Sequence, residues 1–405
     1  MKVLVIGGGG REHALAWRLG KSASVKEVHA APGNPGIAGI GTCHPDTDYL
    51  SLAERLGVDL TVVGPEAPLV AGVVDRFRQR DMPIVGPTAA NAALEGSKIH
   101  AKRFMQKLGV PTARFFTASS ATEARDALRN FRYPLVVKTD GLAAGKGVVI
   151  AQNAAEAEVA LESLPLPLVI EEFLEGEEVS FIALCDGKSA VSLEPSQDHK
   201  RVFDGDLGPN TGGMGAYSDS KILSAAERGR VMDTVIMPVV AATQFTGFLY
   251  AGLMMTAGGP EVLEFNVRLG DPETQPLMMR MESDWAEALA AAARGSLPDN
   301  AIRWSPRPAA CIVMASAGYP GTFASGHKIT GIEDVSDAVV FQAGSKVDRA
   351  TGDLVTSGGR VLGVTAIGSD LRESLDRAYA AAARVHFEGA HYRLDIGKLG
   401  LRRYN

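Results

Sequence analysis

Short apolar runs rich in β-branched residues alternate with amphipathic segments at the start of the chain. The runs at 3–6, 25–30, 60–63 and 84–85 are each followed by a Gly or Pro turn. Between the first two runs, residues 11–19 place Ala14, Leu15 and Leu19 on one side of a helix. This alternation predicts a parallel sheet with helices on its faces, and such sheets bind ligands at the carboxyl ends of their strands.

The pattern changes after Gly96. A cationic helix is predicted at 97–108, stopped at Gly109 with Pro111 just beyond it. Compact strands are predicted at 135–138, 148–151, 168–172 and 179–184, around a Gly-rich run at 141–147. A helix at 231–245 is expected to bend or restart at Pro238. The segments 248–256 and 261–267 indicate a hairpin.

The end of the chain alternates strands with turns. A short Ala-rich helix is predicted at 283–294, a Pro-bearing linker at 304–308, strands at 309–315, 339–343 and 360–366, and a final helix at 370–387. Together these patterns predict an α/β fold, α+β in parts, with a Rossmann-like parallel sheet first. The length of 405 residues suggests about two to three domains.

Composition and charge narrow the function classes. The chain carries 41 basic and 47 acidic residues, a net charge of −6. An acidic balance argues against nucleic acid or an anionic membrane as the partner, but it leaves room for a local phosphate pocket. No apolar run approaches the roughly 20 residues that a membrane helix needs, and the N-terminus lacks a secretory signal pattern. Three widely spaced cysteines indicate reduced thiols, so we predict a cytoplasmic protein.

The opening glycines, 7–10, do not complete a dinucleotide fingerprint. Counted from Gly7, the third glycine position holds Glu12; counted from Gly8, it holds His13. Nicotinamide binding is therefore disfavoured, although the helix after the glycines can approach an anion. A tight structural turn is the alternative. The later turn at 64–68 carries Glu66 at the same predicted sheet edge, where it can hold an amine or a hydroxyl or be a plain exposed acid.

The segment 140–147 resembles a phosphate loop without being one of the Walker type. Only three residues separate Gly141 from Gly145, and a glycine follows Lys146. A Gly/Ala loop with one Lys can still close its backbone N–H groups over phosphates. Lys138 ends an apolar strand, where a lysine is costly to bury unless an anion awaits it. Phosphate binding is favoured over a lysine that merely extends to solvent.

Glu264 and Asn266 are two residues apart on a predicted strand and so share a face. A carboxylate and an amide carbonyl suit Mg²⁺ that carries nucleotide phosphates. Arg268 continues on that face, where it can stabilise a phosphoryl group in transfer. The alternative is the ordinary polar–apolar alternation of a half-exposed strand. The segments 198–201 and 208–215 are predicted to form one long irregular loop ordered by an anionic ligand, closed by 271–275.

Several strings coincide with one family. They are Gly-Gly-Arg-Glu-His-Ala at 9–14, Gly-Pro-Glu-Ala-Pro-Leu at 64–69, Asp-Gly-Leu-Ala-Ala-Gly-Lys-Gly at 140–147, Ser-Gln-Asp-His-Lys-Arg at 196–201, Gly-Pro-Asn-Thr-Gly-Gly-Met-Gly-Ala-Tyr at 208–217 and Arg-Leu-Gly-Asp-Pro-Glu-Thr-Gln at 268–275. The chain resembles the phosphoribosylamine–glycine ligase family of the ATP-grasp superfamily, nearly end to end. The string 358–364 resembles the C-terminal domain of that family.

The resemblance implies an enzyme of purine biosynthesis. ATP activates glycine as glycyl phosphate, 5-phosphoribosylamine attacks it, and glycinamide ribonucleotide, ADP and phosphate are released. The cofactors implied are ATP and Mg²⁺, with Mn²⁺ as a substitute. The partners are small molecules, with neither nucleic acid nor membrane, and we predict a monomer. The predicted domains are an N-terminal α/β domain on the amine-substrate side at 1–97, an ATP-grasp domain at 98–303 with a lid subdomain at 112–180, and a mixed β domain at 304–405.

The resemblance also implies roles for individual residues. For the nucleotide they are Lys98, Lys138, Gly141, Gly145, Lys146, Glu171, Glu172, Phe173, Leu174 and Glu178. For the amine substrate and glycine they are Gly9, Gly10, Arg11, Glu12, Glu66, Asp198, Lys200, Arg201, Asn210, Thr211, Gly212, Gly213, Met214 and Gly215. Metal ligation falls to Glu264 and Asn266, and catalysis to Arg268, Lys138 and Asp271.

Three departures and three alternatives accompany the resemblance. Gly8 replaces the usual Asn, Val267 and Leu269 replace Cys and Phe, and the connection at 162–169 is short. The alternatives are an oxidoreductase, which the incomplete glycine fingerprint disfavours; a non-catalytic nucleotide sensor, against which Arg268 and Asp271 argue; and an ATP-grasp ligase for other substrates, such as a carboxylase. The string at 208–217 distinguishes the chain from that last group.

Overall fold

The computed structural model describes residues 1–142 and 147–404, and it begins with a five-stranded parallel sheet. The strands are β1 (Lys2–Gly7), β2 (Glu27–Pro32), β3 (Thr42–Cys43), β4 (Leu60–Val63) and β5 (Ile84–Val85). The helices are α1 (Gly10–Leu19), α2 (Pro35–Ala38), α3 (Tyr49–Leu56), α4 (Glu66–Val70), α5 (Val73–Arg78) and α6 (Ala89–Gly96). The strand order β3-β2-β1-β4-β5 reverses direction between β1 and β4, the position where such sheets bind ligands.

A small unit with its own core follows. Helix α7 (Lys98–Leu108) leads into it and packs on the main core through Ala101 and Met105. The unit itself contains β6 (Phe115–Ala118), α8 (Ala121–Leu128), β7 (Leu135–Thr139), β8 (Val148–Ala151), α9 (Ala154–Ser163) and β9 (Leu168–Glu172). The strands form an antiparallel sheet in the order β6-β9-β7-β8, and α8 and α9 pack their apolar sides on it. Helix α7 starts with the Ser97 hydroxyl accepting a hydrogen bond from His100 N and stops at Gly109, which is left-handed, as predicted.

A nine-stranded sheet forms the largest layer. The chain before residue 304 supplies six of its strands, β10 (Glu177–Asp186), β11 (Ala190–Ser192), β12 (Ser196–Asp198), β15 (Gly215–Ser218), β16 (Thr246–Thr256) and β17 (Gly259–Asn266). The same segment contains β13 (Arg201–Phe203), β14 (Leu207–Asn210), α10 (Ala225–Val231), α11 (Met237–Thr243), α12 (Thr274–Arg280) and α13 (Trp285–Ala293). Strands β13 and β14 form a separate hairpin beside the sheet. A π-helical turn, Met232–Ile236, joins α10 to α11 directly before Pro238, which agrees with the predicted bend.

The end of the chain continues the same sheet. It contains β18 (Ala309–Ala315), β19 (Val339–Gln342), β20 (Ser345–Val347), β21 (Leu354–Thr356), β22 (Arg360–Ile367), α14 (Leu371–Ala382), α15 (Lys398–Leu401) and a 3-10 turn at Arg402–Tyr404. Two further 3-10 turns, Asp204–Asp206 and Ser220–Ile222, belong to the preceding segment. The sheet order is β17-β16-β10-β12-β15-β18-β22-β19, with β11 beside β10. The ladder from β15 to β18 pairs Gly215 with Ile312 and therefore crosses the boundary predicted at 303/304. The domain boundaries remain a prediction.

The expected long irregular loop at 198–215 is wrong. Strands β12 and β15 pair with each other in the main sheet, with Gln197 opposite Tyr217, and β13 pairs with β14. These strands have only three or four residues each, which is too short for an alternating pattern to stand out in the sequence. The α/β fold class and the parallel N-terminal sheet are confirmed. Among the described residues, no helix has both the length and the apolar character that crossing a membrane requires.

Candidate functional site

A large cleft lies where the parts of the fold meet. Its cavity volume is about 1280 Å³. Glu66 comes from the start of α4, Lys138 from β7, Glu264 from β17, and Arg360 from the start of β22. Residues far apart in sequence thus converge on one space, as expected for a site at the reversal point of the N-terminal sheet.

Lys138 forms an ion pair inside one end of the cleft. Its Nζ lies 2.9 Å from Glu171 Oε2 and donates to the carbonyl of Leu263 at 3.3 Å. Strand β7 is buried along its whole length, so the lysine is held in position by the neighbouring strands. Glu171 is also buried, and its Oε1 has no hydrogen-bond partner in the described part of the chain. An unused buried acceptor is costly, and a donor from a bound ligand removes that cost.

Lys102 belongs to the same cluster, although no motif in the sequence marked it. Its Nζ lies 3.2 Å from Glu171 Oε2 and donates to Thr112 Oγ1 at 2.7 Å. Burial lowers the pKa of Lys102 to about 8, against the opposing attraction of Glu171. The spacing of the two lysines could have identified Lys102 from the sequence, because it lies four residues after Lys98 and therefore on the same face of α7.

Lys98 connects the helix to the Gly-rich loop. Its Nζ donates to the carbonyl of Gly141 at 2.7 Å. Burial lowers the pKa of Lys98, while Glu264 acts in the opposite direction. Gly141 has φ +85°, a conformation that favours glycine, and it lines the cleft. The predicted phosphate-loop residues Gly145 and Lys146 lie outside the described residues.

The connection from β9 to β10 forms one edge of the cleft. Glu172, Phe173 and Leu174 all line it. Glu172 Oε1 accepts a hydrogen bond from the backbone N–H of Arg114 at 2.7 Å, which ties this edge to β6. Glu178, early in β10, forms an ion pair with Lys200 across the cleft wall.

Glu264 and Asn266 lie on the same side of β17 and face the cleft, as the spacing predicts. Burial alone would raise the pKa of Glu264, but Lys200, Lys138 and Lys98 together lower it, so the carboxylate stays ionised. Within residues 1–142 and 147–404, no group of three or more His, Cys, Asp or Glu side chains is arranged to hold a metal ion by itself.

Four residues place oxygen atoms near the Arg268 guanidinium, among them Leu269, whose carbonyl accepts a hydrogen bond from Nη1 at 3.4 Å. Nη2 lies 2.8 Å from Glu95 Oε1 and donates to Asn266 Oδ1 at 3.2 Å, and Nε lies 3.5 Å from Glu66 Oε2. Glu95 is a further residue that the sequence did not reveal; its Oε2 accepts from the backbone N–H of Val267 at 2.8 Å. Burial raises the pKa of Glu95 despite the attraction of Arg268. Arg268 is thus held by oxygen atoms of four residues.

Asp271 is anchored by an arginine from the end of the chain. Arg360 Nη2 lies 3.0 Å from Asp271 Oδ2, and its Nη1 donates to the carbonyls of Asp271 at 2.5 Å and Gly212 at 2.7 Å. Gln275 Nε2 donates to Asp271 Oδ1 at 2.7 Å. Burial would raise the pKa of Asp271, but Arg360 and Arg11 hold it below its ordinary value. The contribution of Arg360 was not predicted.

The predicted substrate-binding residues between 198 and 215 fall into two groups, those that line the cleft and those that do not. Asp198, Lys200, Arg201, Asn210, Thr211 and Gly212 line the cleft, whereas Gly213, Met214 and Gly215 do not. Met214 is fully buried against Val202. A Cβ at Gly213 would lie 2.5 Å from Pro272 Cδ, so that glycine permits close packing of the chain. Burial raises the pKa of Asp198 to about 8, although Lys200 opposes the shift.

The predicted substrate-binding residues at 9–12 also differ in whether they reach the cleft. Arg11 lines the cleft, but the Glu12 side chain is occupied locally: its Oε2 accepts from Gly9 N and its Oε1 from Arg11 Nε, both at 2.6 Å. Glu12 therefore caps α1 and orients Arg11. Gly9 and Gly10 are close to the site, since a Cβ on Gly10 would lie 3.5 Å from Asp271 Oδ1.

Family models match almost the whole chain. The model described as the phosphoribosylglycinamide synthetase N domain matches residues 1–95, the ATP-grasp (A) domain model matches 96–274, and the C domain model matches 309–399. The phosphoribosylamine–glycine ligase of Xylella fastidiosa strain 9a5c is 49% identical over 98% of this chain and 96% of its own length. The ligase of the same description from Escherichia coli O157:H7 is 47% identical over 98% of each chain.

Solved structures agree. The crystal structure of phosphoribosylamine–glycine ligase from Thermotoga maritima has a TM-score of 0.86 and 36% identity, covering 98% of this chain and 100% of its own. The biotin carboxylase domain of Hydrogenobacter thermophilus 2-oxoglutarate carboxylase, at 17% identity and a TM-score of 0.72, covers 100% of this chain and 94% of its own, and shares the fold. The chain therefore belongs to the phosphoribosylglycinamide synthetase family, the phosphoribosylamine–glycine ligases with an ATP-grasp domain.

Proposed function

We propose that the cleft carries out the ligation of glycine to 5-phosphoribosylamine, with the nucleotide at the end near Lys98 and Lys138 and the amine substrate at the end near Glu66. The observation that carries this assignment is that Lys98, Lys138, Lys200 and Arg268, from four different segments, line the same cleft as Glu264. Their positive charges lower the pKa of the Glu264 carboxyl against the effect of burial. A cleft with several cations around one carboxylate suits a triphosphate and its metal ion.

The reaction proceeds in two steps. A glycine carboxylate oxygen attacks the terminal phosphorus of ATP, the bond to ADP breaks, and glycyl phosphate forms. The amine nitrogen of 5-phosphoribosylamine then attacks the glycyl carbonyl carbon, the carbon–oxygen bond to phosphate breaks, and the nitrogen loses one proton. Because the substrates attack each other, no protein nucleophile is required, and orientation with charge neutralisation supplies the catalysis.

The proposed nucleotide contacts follow the cleft wall. Lys98 and Lys138 bind phosphate oxygens, helped by the loop 140–147. Backbone groups of Glu172, Phe173 and Leu174 hold the adenine. Glu171, whose Oε1 has no partner among the described residues, accepts a hydrogen bond at the same place. Glu178 binds the ribose hydroxyls.

The metal ion is proposed to be Mg²⁺, with Mn²⁺ able to replace it. Glu264 and Asn266 would hold it, and their two hard oxygen donors fit a cation that takes its remaining ligands from phosphates and water. When bound, the ion neutralises negative charge on the phosphates. Arg268, oriented by Glu95 and Glu66, is proposed to sit beside the transferred phosphoryl group.

The substrate end is proposed to use both backbone and side chains. Arg11, Gly9, Gly10 and Glu66 face the amine substrate, while Asp198, Lys200, Arg201 and the segment 210–212 face glycine and the phosphate. Asp271 orients the reacting groups together with Arg360, because the two form an ion pair at 3.0 Å. Glu12, Gly213, Met214 and Gly215 act by supporting these residues.

We also propose that the enzyme works as a cytoplasmic monomer on small molecules, without nucleic acid or membrane. The net charge of −6 supports the exclusion of polyanionic partners.

The test of the proposed function is ADP release by the purified chain. Release is expected only when ATP, Mg²⁺, glycine and 5-phosphoribosylamine are all present, with one glycinamide ribonucleotide formed for each ADP. ADP release at the same rate with and without glycine, or ATP binding without turnover under these conditions, would overturn the assignment.

A further inference from the structure

The segment 398–404 lies against the wall of the cleft. It consists of α15 and the 3-10 turn Arg402–Tyr404. A Cβ at Gly400 would lie 2.6 Å from the Tyr217 hydroxyl, so glycine permits the close approach of this segment to β15. Tyr404 donates from its hydroxyl to Asp219 Oδ2 at 2.6 Å, and the Lys221 ammonium stands 3.5 Å above its ring. The segment is thus packed against the rest of the chain at Gly400 and at Tyr404.

Arg403 joins this segment to the first residues of β10. Its Nη1 donates to the Tyr217 hydroxyl at 2.9 Å, and its Nη2 forms an ion pair with Glu177 Oε1. Gln197 Nε2 donates to the same Glu177 oxygen at 2.8 Å and to the backbone carbonyl of Glu178 at 2.7 Å. The Tyr217 hydroxyl in turn donates to Gln197 Oε1. The five residues form one continuous network that ends on the backbone of Glu178.

Burial and the planar shape of the guanidinium fix the geometry of this hydrogen-bond network. Gln197 and Tyr217 are 5% and 1% exposed, so their polar groups depend on one another and not on water. Arg403 is the only full positive charge among the five, and a planar guanidinium fixes two acceptors at once. The Glu178 side chain faces the cleft, where it forms an ion pair with Lys200.

We propose that Arg403 is a positioning residue for the nucleotide, which acts through Glu177 and Gln197 to hold Glu178 where its carboxylate binds the ribose hydroxyls of ATP. This inference rests on the proposed function, since it assigns the ribose to Glu178. It predicts an effect that is largest at the ribose. Among the described residues, Arg403, Glu177, Gln197 and Tyr217 make no hydrogen bond to Lys98 or Lys138, and only the Glu178 carboxylate reaches Lys200.

The test compares equilibrium binding of Mg²⁺-ATP and Mg²⁺-2′-deoxy-ATP to the full chain by calorimetry. Arg403→Met, which keeps most of the stem but no donor, should weaken ATP binding about tenfold. Binding of the deoxynucleotide, which lacks one ribose hydroxyl, should weaken much less, so that discrimination between the two falls. Glu178→Gln should show the same loss, and the double variant should bind ATP no more weakly than Glu178→Gln alone.

Two further variants complete the design. Arg403→Lys should recover part of the discrimination, because it restores the charge without the fork. Arg384→Met is the matched control: Arg384 also forms an ion pair with one carboxylate, Asp337, but on the surface away from the cleft. It should leave both affinities unchanged. Unchanged ATP affinity in Arg403→Met, or equal weakening of both nucleotides with a lowered melting temperature, would overturn the proposal.

Turnover separates this proposal from the function on which it rests. In Arg403→Met, the KM for ATP should rise while the KM for glycine stays within about twofold. If the wild-type chain binds ATP but releases no ADP with glycine and 5-phosphoribosylamine, the proposed function fails. The binding comparison still decides the role of Arg403 in that case.

Discussion

Lys102 and Lys138 share one oxygen of Glu171, at 3.2 Å and 2.9 Å from their respective Nζ atoms. Both lysines and the glutamate are almost completely buried. Two buried cations with a single carboxylate leave one positive charge in excess at the nucleotide end of the cleft. Burying charge is costly, and the excess is best matched when an anionic ligand binds.

The cost of burying Lys102 should be visible in the pH dependence of stability. Its pKa is lowered from 10.5 to about 8, so between these values the unfolded chain binds more protons than the folded one. The free energy of unfolding contributed by Lys102 therefore rises with pH across this window. Relative to Lys102→Met, the wild type should gain about 3 kcal/mol between pH 8 and pH 10.5, measured by urea unfolding.

Lys107→Met provides the matched control, because Lys107 is exposed on the same helix. The difference in unfolding free energy between wild type and this variant should stay flat over the same pH range. If the difference in unfolding free energy between wild type and Lys102→Met is also independent of pH, Lys102 does not carry the buried charge.

The site residues that could be predicted from the sequence are those whose role follows from their neighbours within one strand or helix. Glu264 and Asn266 share a face because they are two apart on a strand, and Lys138 was conspicuous because it ends an apolar run. Both inferences needed only one element each. The parallel sheet was likewise predictable, since helical segments separate its successive strands along the chain.

The residues that were missed act through contacts between distant segments. Glu95 reaches Arg268 from α6, and Arg360 reaches Asp271 from β22, across separations that no local pattern encodes. The short strands β12 to β15 were taken for a loop because their pairing depends on partners in the main sheet. Glu12 was predicted to bind a substrate because it lies in the string at 9–14. Its hydrogen bonds to Gly9 and Arg11 could not be inferred from the sequence.

Removal of the proposed metal ligand should stop turnover without unfolding the chain. In Glu264→Gln the volume is kept but the negative charge is lost, so the metal ion and the surrounding cations lose their common partner. ADP release should fall by at least about 100-fold, and Glu264→Asp should need more Mg²⁺ for half-maximal rate. Thermal unfolding followed by circular dichroism should change little; full activity of Glu264→Gln at ordinary Mg²⁺ would contradict the assignment.

Arg360 should be required for both activity and stability. Its guanidinium makes three contacts with Asp271 and Gly212, so Arg360→Met leaves the Asp271 carboxylate with only Gln275. We expect a loss of about 3 kcal/mol in the free energy of unfolding and at least a tenfold fall in kcat/KM. Arg360→Lys should restore little, because an ammonium cannot form the same fork. A lysine variant with wild-type activity would show that charge alone is sufficient.

Two glycine-to-alanine substitutions should change stability in opposite directions. A Cβ at Gly64 would lie 2.0 Å from Glu12 Oε1 and 2.5 Å from Glu12 Cγ. A Cβ at Gly229, exposed in α10, would have no atom of residues 1–142 or 147–404 within 4 Å outside its own helical turn. Gly64→Ala must therefore displace Glu12, which caps α1 and orients Arg11. It should lower the free energy of unfolding by about 1–3 kcal/mol, while Gly229→Ala raises it by up to about 1 kcal/mol. Because Arg11 lines the amine-substrate end, Gly64→Ala should also raise the KM for 5-phosphoribosylamine more than the KM for ATP. Equal changes in both KM values would mean that Glu12 supports the fold alone and does not orient Arg11 toward the cleft.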